Sequence, residues 1–167
     1  RMGELAIETF KLSLDNIKNF STENVQTIME NEEKVDVYDD KIGAYLVHLS
    51  SHGLSEKDTQ TVTVIQHTIS DFERIADHAV NMAESCKEMQ KREVTFSDKA
   101  NDELSVFIGA INEILDKALL CYTENDLEIA RSVEPLEEVI DNLRTELKKR
   151  HTKRVRKGKC TIDLGLV

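Results

Sequence analysis

The sequence predicts an all-α protein made of long helices joined by few loops. Apolar residues recur with a helical period along almost the whole chain, and only one Pro and six Gly interrupt its 167 residues. The good helix formers Glu, Lys, Leu, Ile and Ala are abundant. At 40% hydrophobic residues the chain can build an interior, although it has no Trp and only 5% aromatic residues. We expect five long helices and at most a short start of a sixth.

The first two helices are predicted from about Gly3 to Phe20 and from about Glu23 to Ser51, with Ser21 or Thr22 as the cap of the second. The core-facing stripe of the second helix is apolar except for two acids, Glu32 and Asp39. Asp36 lies one turn beyond Glu32. Because acids are rarely buried without a partner, their place in the stripe needs an explanation.

The stretch SSHGLS at positions 50–55 breaks the pattern, and a third helix follows to about Arg92. Glu73 and Asp77 lie beside its apolar stripe, where a neighbouring helix would pack. Ser97 is predicted to cap a fourth helix that ends near Tyr122. A fifth helix is predicted from about Asp126 towards His151, closed by basic residues and Gly158.

The chain contains an internal repeat. EEKVD at positions 32–36 recurs as EEVID at 137–141, and TEN at 22–24 recurs at 123–125. We therefore predict two three-helix repeats, residues 1–93 and residues 94–167. The second copy of the ERIAD segment would fall beyond Val167. The second repeat is thus predicted to lack most of its last helix, and the chain is expected to be part of a longer one.

Charge and cysteine content exclude several classes of protein. The net charge of −10 makes the chain a poor nucleic-acid surface and a plausible binder of cations. Cys86, Cys121 and Cys160 form no metal or redox motif, which indicates reduced thiols in a cytosolic setting. No stretch approaches the roughly 20 apolar residues of a membrane helix, and the start lacks the apolar core of a signal peptide.

Three pairs of acids share a spacing of four residues, which places both carboxylates of a pair on one helix face. The pairs are Glu32 with Asp36, Glu73 with Asp77, and Glu137 with Asp141. Hard oxygen ligands of this kind suit Mg, Ca, Mn or Fe. We hypothesise that the first two pairs meet across the second and third helices as one metal site. Asp39 would be an extra donor or ligand orienter, and Arg74 would point away. The alternative is a solvated acidic face.

The segment Lys148–Lys159 holds eight Lys and Arg residues and no acid. Cations are favourable at a helix C-terminus, so a solvated helix end is one interpretation of this segment. The other is contact with the anionic headgroups of a membrane surface.

FERIADHAVNMAE, residues 72–84, resembles a segment of the PhoU-like family of phosphate-uptake regulators, and EEKVDVYDDKIGAYLVHLS and VEPLEEVIDNL resemble that family's other acidic segment. The resemblance implies an up-down bundle of two three-helix repeats with metal clusters. Glu32, Asp36, Glu73 and Asp77 would form the first cluster, and Glu137 and Asp141 half of the second. Ala76 stands where the family usually has Gly. The basic tail looks like that of the PhoU-like domain at the cytosolic C-terminus of bacterial sodium/phosphate cotransporter-related proteins, where it follows a membrane transporter block of the same chain.

The resulting prediction is a regulatory domain of phosphate uptake that binds divalent or ferric metal ions, on the cytoplasmic side of the cell membrane. No nucleophile–base pair, phosphate-binding loop or redox motif is visible, so we predict no enzymatic activity. A di-iron enzyme of the ferritin-like kind would need Glu-x-x-His pairs, and no His here follows a Glu by three residues. A plain helical adaptor without metal remains the alternative. An open apolar groove along the fifth helix predicts a homo-oligomer.

Overall fold

A computed structural model describes residues 1–158 and contains five α-helices. They are α1 (Met2–Asn16), α2 (Thr22–Ser50), α3 (Glu56–Lys91), α4 (Asp98–Glu124) and α5 (Leu127–Arg156). The described range contains no β-strand. The predicted all-α class and the five long helices are therefore confirmed. The expected start of a sixth helix, at residues 160–167, lies outside the described residues.

The helices form two compact units. The first comprises Arg1–Glu84, and the second begins at Ser85. The division into repeats at residue 93, which rests on sequence similarity, stays a prediction.

Side-chain caps explain where several of the helices begin. The Ser21 hydroxyl accepts a hydrogen bond from the Asn24 N–H at 3.3 Å, and the Ser97 hydroxyl accepts one from the Ala100 N–H at 3.4 Å. The Asp126 carboxylate accepts from the N–H groups of two residues in the first turn of α5. Each cap satisfies a backbone donor that the helix itself leaves unpaired.

The first helix is shorter than predicted, because it ends at Asn16 and not near Phe20. Asn16 is fully buried, and its side-chain oxygen accepts the Ser21 N–H at 2.8 Å. This hydrogen bond joins the end of α1 to the residue before α2 and fixes the turn between them. The helix therefore ends at Asn16, although the helical spacing of apolar residues continues to Ile17.

The fifth helix is longer than predicted and runs through the basic segment to Arg156. Lys and Arg are good helix formers and are favoured in a last turn. Pro135 lies inside this helix. Since Pro has no N–H, the carbonyl oxygen four residues earlier, on Arg131, lacks its usual helical partner.

The core of the first unit joins all three of its helices. Buried residues from α1, α2 and α3 meet in one cluster that includes Ala6, Val35 and Ala76. A second cluster contains Ile28 from α2 and Ala79 from α3. Gly3 permits a close approach of α1 to α3, because a Cβ at this position would lie 2.5 Å from the Phe72 ring.

In the second unit α4 packs along α5. None of the side chains of α5 is fully buried. Its apolar stripe is half-buried, and it consists of Ile129, Val133, Leu136, Ile140, Leu143 and Leu147. Within residues 1–158, no helix is both long and apolar enough to cross a membrane.

Candidate metal centre

The seam between α2 and α3 places the predicted acids beside the core. Val35 lies between Glu32 and Asp36 on α2 and is fully buried. Ala76 lies between Glu73 and Asp77 on α3, is also fully buried, and belongs to the same core cluster as Val35. These two small or medium side chains fix the packing of the helices where the acids flank it. Glu32, Glu73 and Asp77 are half-buried as a result, and Asp36 is exposed.

The carboxyl groups of the two helices interact electrostatically. Partial burial is the largest cause that raises the pKa of Glu32 above its ordinary value of 4.5. The charge of Asp36, on the same helix, raises it further, and so do the charges of Asp77 and Glu73 from α3. The predicted pairs therefore lie close enough across the seam to repel each other.

The pKa of one more acid on each helix is also raised, Asp36 on α2 and Glu73 on α3. Although the Asp36 side chain is exposed to solvent, neighbouring atoms partly desolvate its carboxyl group, and this and then the charge of Asp77 raise its pKa, with Asp40, Asp39 and Glu33 adding to the effect.

Burial, Asp77 and Asp36 likewise raise the pKa of Glu73. A close side-chain interaction with Asp77, one turn along the same helix, adds to this rise in the pKa of Glu73. All the charges that shift the pKa of Glu32, Asp36 and Glu73 are negative.

Asp39 carries a polar atom that lacks a partner. Its Oδ1 is buried and finds no hydrogen-bond donor within the described residues. An unpaired buried carboxylate oxygen is unfavourable, and a cation is one group that can satisfy it. Asp39 also contributes to the raised pKa of Glu73. This orphaned oxygen, next to acids on two helices, makes the donor set compatible with a hard metal ion.

Arg74 does not neutralise the acids beside it in sequence. Its side chain is exposed, and its Nη1 lies 3.6 Å from the Asp71 Oδ1. This agrees with the expectation that Arg74 points away towards solvent or a neighbouring acid. His78, next to Asp77, is exposed.

The acids do not already converge on a single point. Within residues 1–158, no three His, Cys, Asp or Glu side chains stand in the arrangement of a metal site. Repulsion between like charges favours separated carboxylates in the absence of a cation. Binding of an ion would therefore require side-chain movement, of which Glu and Asp on a helix surface are capable.

Glu137 and Asp141 lie in the second unit, in the middle of α5. Both are exposed, and the Asp141 Oδ1 lies 3.1 Å from the Arg144 Nη2. This ion pair gives Asp141 a cationic partner that the acids of the α2–α3 seam lack.

Two acids outside the predicted set, Glu33 and Asp40, add to the repulsion at the seam. Each is a sequence neighbour of an acid in the predicted set. The run of acids along α2 is the sequence feature that indicates them. A helical wheel, however, places Glu33 and Asp40 away from the apolar stripe.

The fold and the acids together define a class: an all-α domain with a carboxylate-rich seam between two helices of a three-helix unit. The model of the PhoU domain family matches residues 1–86, which is the first unit almost residue for residue. The chain belongs to the PhoU domain family.

Several curated relatives extend the similarity into the second unit. The chain is 21% identical over 169 aligned positions to the phosphate-specific transport system accessory protein PhoU homolog 1 of Thermotoga maritima, covering all of this chain and 72% of that protein. It is 26% identical to the PhoU homolog of Xylella fastidiosa, over 80% of this chain and 54% of the relative. The homolog of Synechocystis is 24% identical, over 85% of this chain and 62% of the relative. No solved structure matches the chain.

Proposed function

We propose that the chain is a regulatory domain of phosphate uptake that binds metal ions at the α2–α3 seam. Membership of the PhoU domain family supports the phosphate-related role, as do the relatives named as accessory proteins of phosphate-specific transport. The observation that carries the metal site is the mutual repulsion of acids on two packed helices, beside an unpartnered Asp39 oxygen. The role is regulatory and not enzymatic.

Five side chains would hold the ion: Glu32, Asp36, Glu73 and Asp77, with Asp39 as the additional donor. Their oxygen ligands fit Fe, Mn, Mg or Ca. A bound cation would supply positive charge that cancels the repulsion and links α2 to α3. Because α2 and α3 each contribute ligands, binding or loss of the ion would change how these two helices pack in the first unit. Glu137 and Asp141 would contribute to a second site together with ligands from elsewhere.

We also propose a setting for the domain in the cell. Its basic segment at 148–159 and its resemblance to cotransporter-related proteins favour attachment to a transporter block on the cytoplasmic side of the cell membrane. The basic segment would then face the anionic membrane surface. A homo-oligomer is proposed from the half-buried apolar stripe of α5.

Metal analysis and thermal melting test the site. Protein purified without chelator should contain a divalent or ferric ion. Saturating metal should raise the melting temperature by roughly 5–10 °C, since an ion at about 100 times its Kd adds about 2.7 kcal/mol. Asp77→Ala should lower the metal content and abolish most of that rise.

Asp71→Ala is the matched control, because Asp71 lies on the same helix but is exposed and paired with Arg74. It should retain the metal response of the parent. If the parent binds none of these ions, or if both variants respond alike, the metal site is wrong and the domain is a helical adaptor whose acids are surface charge.

A further inference from the structure

A cleft in the second unit carries a strong excess of positive charge. It lies between the N-terminal end of α4 and the C-terminal end of α5, with a volume of about 500 Å³. Five cations and one acid line it: Lys99, Arg150, Lys153, Arg154, Lys157 and Glu103. This accumulation contrasts with the net charge of −10 for the chain.

The single acid of the cleft is paired with two of the cations. The Arg154 Nη1 lies 2.6 Å from one Glu103 oxygen, and the Arg150 Nη1 lies 3.3 Å from the other. The Glu103 side chain is only 10% exposed. Burial acts to raise its pKa, but the hydrogen bonds and charges of the two arginines outweigh burial and lower it. Glu103 is thus a buried carboxylate that fixes two guanidinium groups.

The remaining donors face the cleft without an acid of their own. Both oxygens of Glu103 accept from arginines, and the residues that line the cleft include no second acid for the three lysines. The Arg154 Nε is buried and has no acceptor within the described part of the chain.

Helix-end electrostatics explain only part of this arrangement. Cations are favoured in the last turn of α5, where Lys153 and Arg154 lie. Lys99, however, is in the first turn of α4, where the positive end of the helix dipole disfavours a cation. The α4 N-terminus and five side chains therefore add positive potential at one place, and an anion there would relieve it.

We propose that this cleft binds an anion of the phosphate type. Arginine guanidinium groups present paired N–H donors that match phosphate oxygens, and lysines add mobile point charges. Glu103 acts as a positioning residue that holds Arg150 and Arg154 in place. The same chemistry would accept a free phosphate compound or a phosphorylated lipid headgroup. The proposal is independent of the metal site, which lies in the first unit.

Calorimetric titration with inorganic pyrophosphate tests the free anion at physiological ionic strength. Sedimentation with phosphatidylcholine vesicles, with and without phosphatidylglycerol, tests the headgroup. Lys153→Gln combined with Lys157→Gln removes two exposed cations that line the cleft. Lys148→Gln combined with Lys149→Gln removes the same charge from the same helix outside it.

The parent should bind at least one probe. The cleft variant should bind that probe about tenfold more weakly, because each charge-assisted hydrogen bond contributes strongly, while the control should change by about twofold or less. Binding of pyrophosphate alone assigns a free anion, and binding of phosphatidylglycerol vesicles alone assigns a headgroup. Binding of neither, or equal weakening in the two variants, would overturn the proposal. Metal content at the α2–α3 seam should be the same in all three proteins.

Discussion

Glu73 carries a charge that the folded chain disfavours, because partial burial and the neighbouring acids Asp77, Asp36 and Asp39 all raise its pKa. The pKa of Glu32 and the pKa of Asp36 are raised in the same way, from their ordinary values of 4.5 and 3.8. A raised pKa means that the folded state holds a proton more tightly than the unfolded state. These groups therefore stabilise the fold below their ordinary pKa, and that stability is lost as pH rises through their folded pKa.

We expect Glu73→Gln to stabilise the metal-free protein at neutral pH. Each like-charge contact removed is worth roughly 0.2–0.5 kcal/mol, which should raise the melting temperature by about 1–3 °C. Near pH 4, below the raised pKa of Glu73, the parent loses the charge that the substitution removes, and the gain should shrink towards zero. Melting curves in the presence of a chelator at both pH values measure the effect.

Asp71→Asn provides the control for this pH dependence. It removes an exposed acid of α3 that is paired with Arg74, so it should give no increase at neutral pH. A rise equal to that of Glu73→Gln would mean that general charge reduction, and not the seam, is responsible.

Two glycines in helices should respond oppositely to the same substitution. Gly43→Ala adds a methyl group with no atom within 4 Å, so it should stabilise the protein by about 0.5–1 kcal/mol through helix propensity. Gly3→Ala would place its Cβ 2.5 Å from the Phe72 ring. The ring must tilt out of a packed cluster, and we expect a net loss of about 1 kcal/mol. Urea midpoints compare the two, and stabilisation by Gly3→Ala would contradict the tight α1–α3 contact.

The α4–α5 pair is held at one end by Glu103. Glu103→Gln should destabilise the protein by about 1–3 kcal/mol, because it removes the negative charge and one of the two oxygens that accept hydrogen bonds from Arg150 and Arg154. Since the pKa of Glu103 is lowered in the folded state, its stabilisation exists above the ordinary value of 4.5 and is lost as pH falls through the folded pKa. The cost of the substitution should therefore diminish in acid.

Glu146→Gln is the matched control in urea unfolding. Glu146 lies 2.8 Å from Lys149 within α5, but its side chain is 52% exposed. An exposed pair of this kind contributes about 0–0.5 kcal/mol. Equal losses in the two variants would show that burial of Glu103 has no energetic consequence.

Helix positions could be predicted where the determinants are local. Ser21, one of the two expected caps of α2, and Ser97, the expected cap of α4, cap their helices in the structure, and α5 begins directly after Asp126, close to its expected start. The end of α1 could not be predicted, since it depends on a buried Asn16 that bonds to a residue outside the helix. The pairing of Glu103 with Arg150 and Arg154 joins residues about fifty positions apart. Its only sequence signal is an acid at an apolar-stripe spacing, three residues after Ala100 and four before Phe107.

The same distinction applies to the candidate metal centre. The spacing of Glu32 with Asp36, and of Glu73 with Asp77, follows from helical geometry alone. The two pairs repel each other across the seam because Val35 and Ala76 belong to the same core cluster. Helical periodicity predicts which face of each helix is buried, but not which residues of the two helices lie opposite each other. Whether an ion binds there stays a prediction, because side-chain repulsion and metal affinity are not encoded in spacing.

The second unit should associate with a second copy of itself. Its α5 buries no side chain completely, and Leu127 and Val139 are 71% and 49% exposed. Apolar surface of this extent favours a partner. Light scattering should show a mass that rises with concentration, and Val139→Glu should reduce the rise.

Val47→Glu is the corresponding control, because Val47 is exposed but lies in the first unit. It should leave the association unchanged. A constant monomeric mass for the parent at high concentration would count against self-association.

Pro135 divides α5 into two segments that can unfold locally and independently of each other. The carbonyl of Arg131 has no helical donor, and the residues just before a proline are sterically restricted. The ladder of hydrogen bonds is thus weakest between the cap at Asp126 and the acids at Glu137 and Asp141. Amide hydrogens on either side of this point would exchange with solvent as separate cooperative groups. The N-terminal turns of α5 could then loosen while the C-terminal turns, tied to Glu103, stay closed.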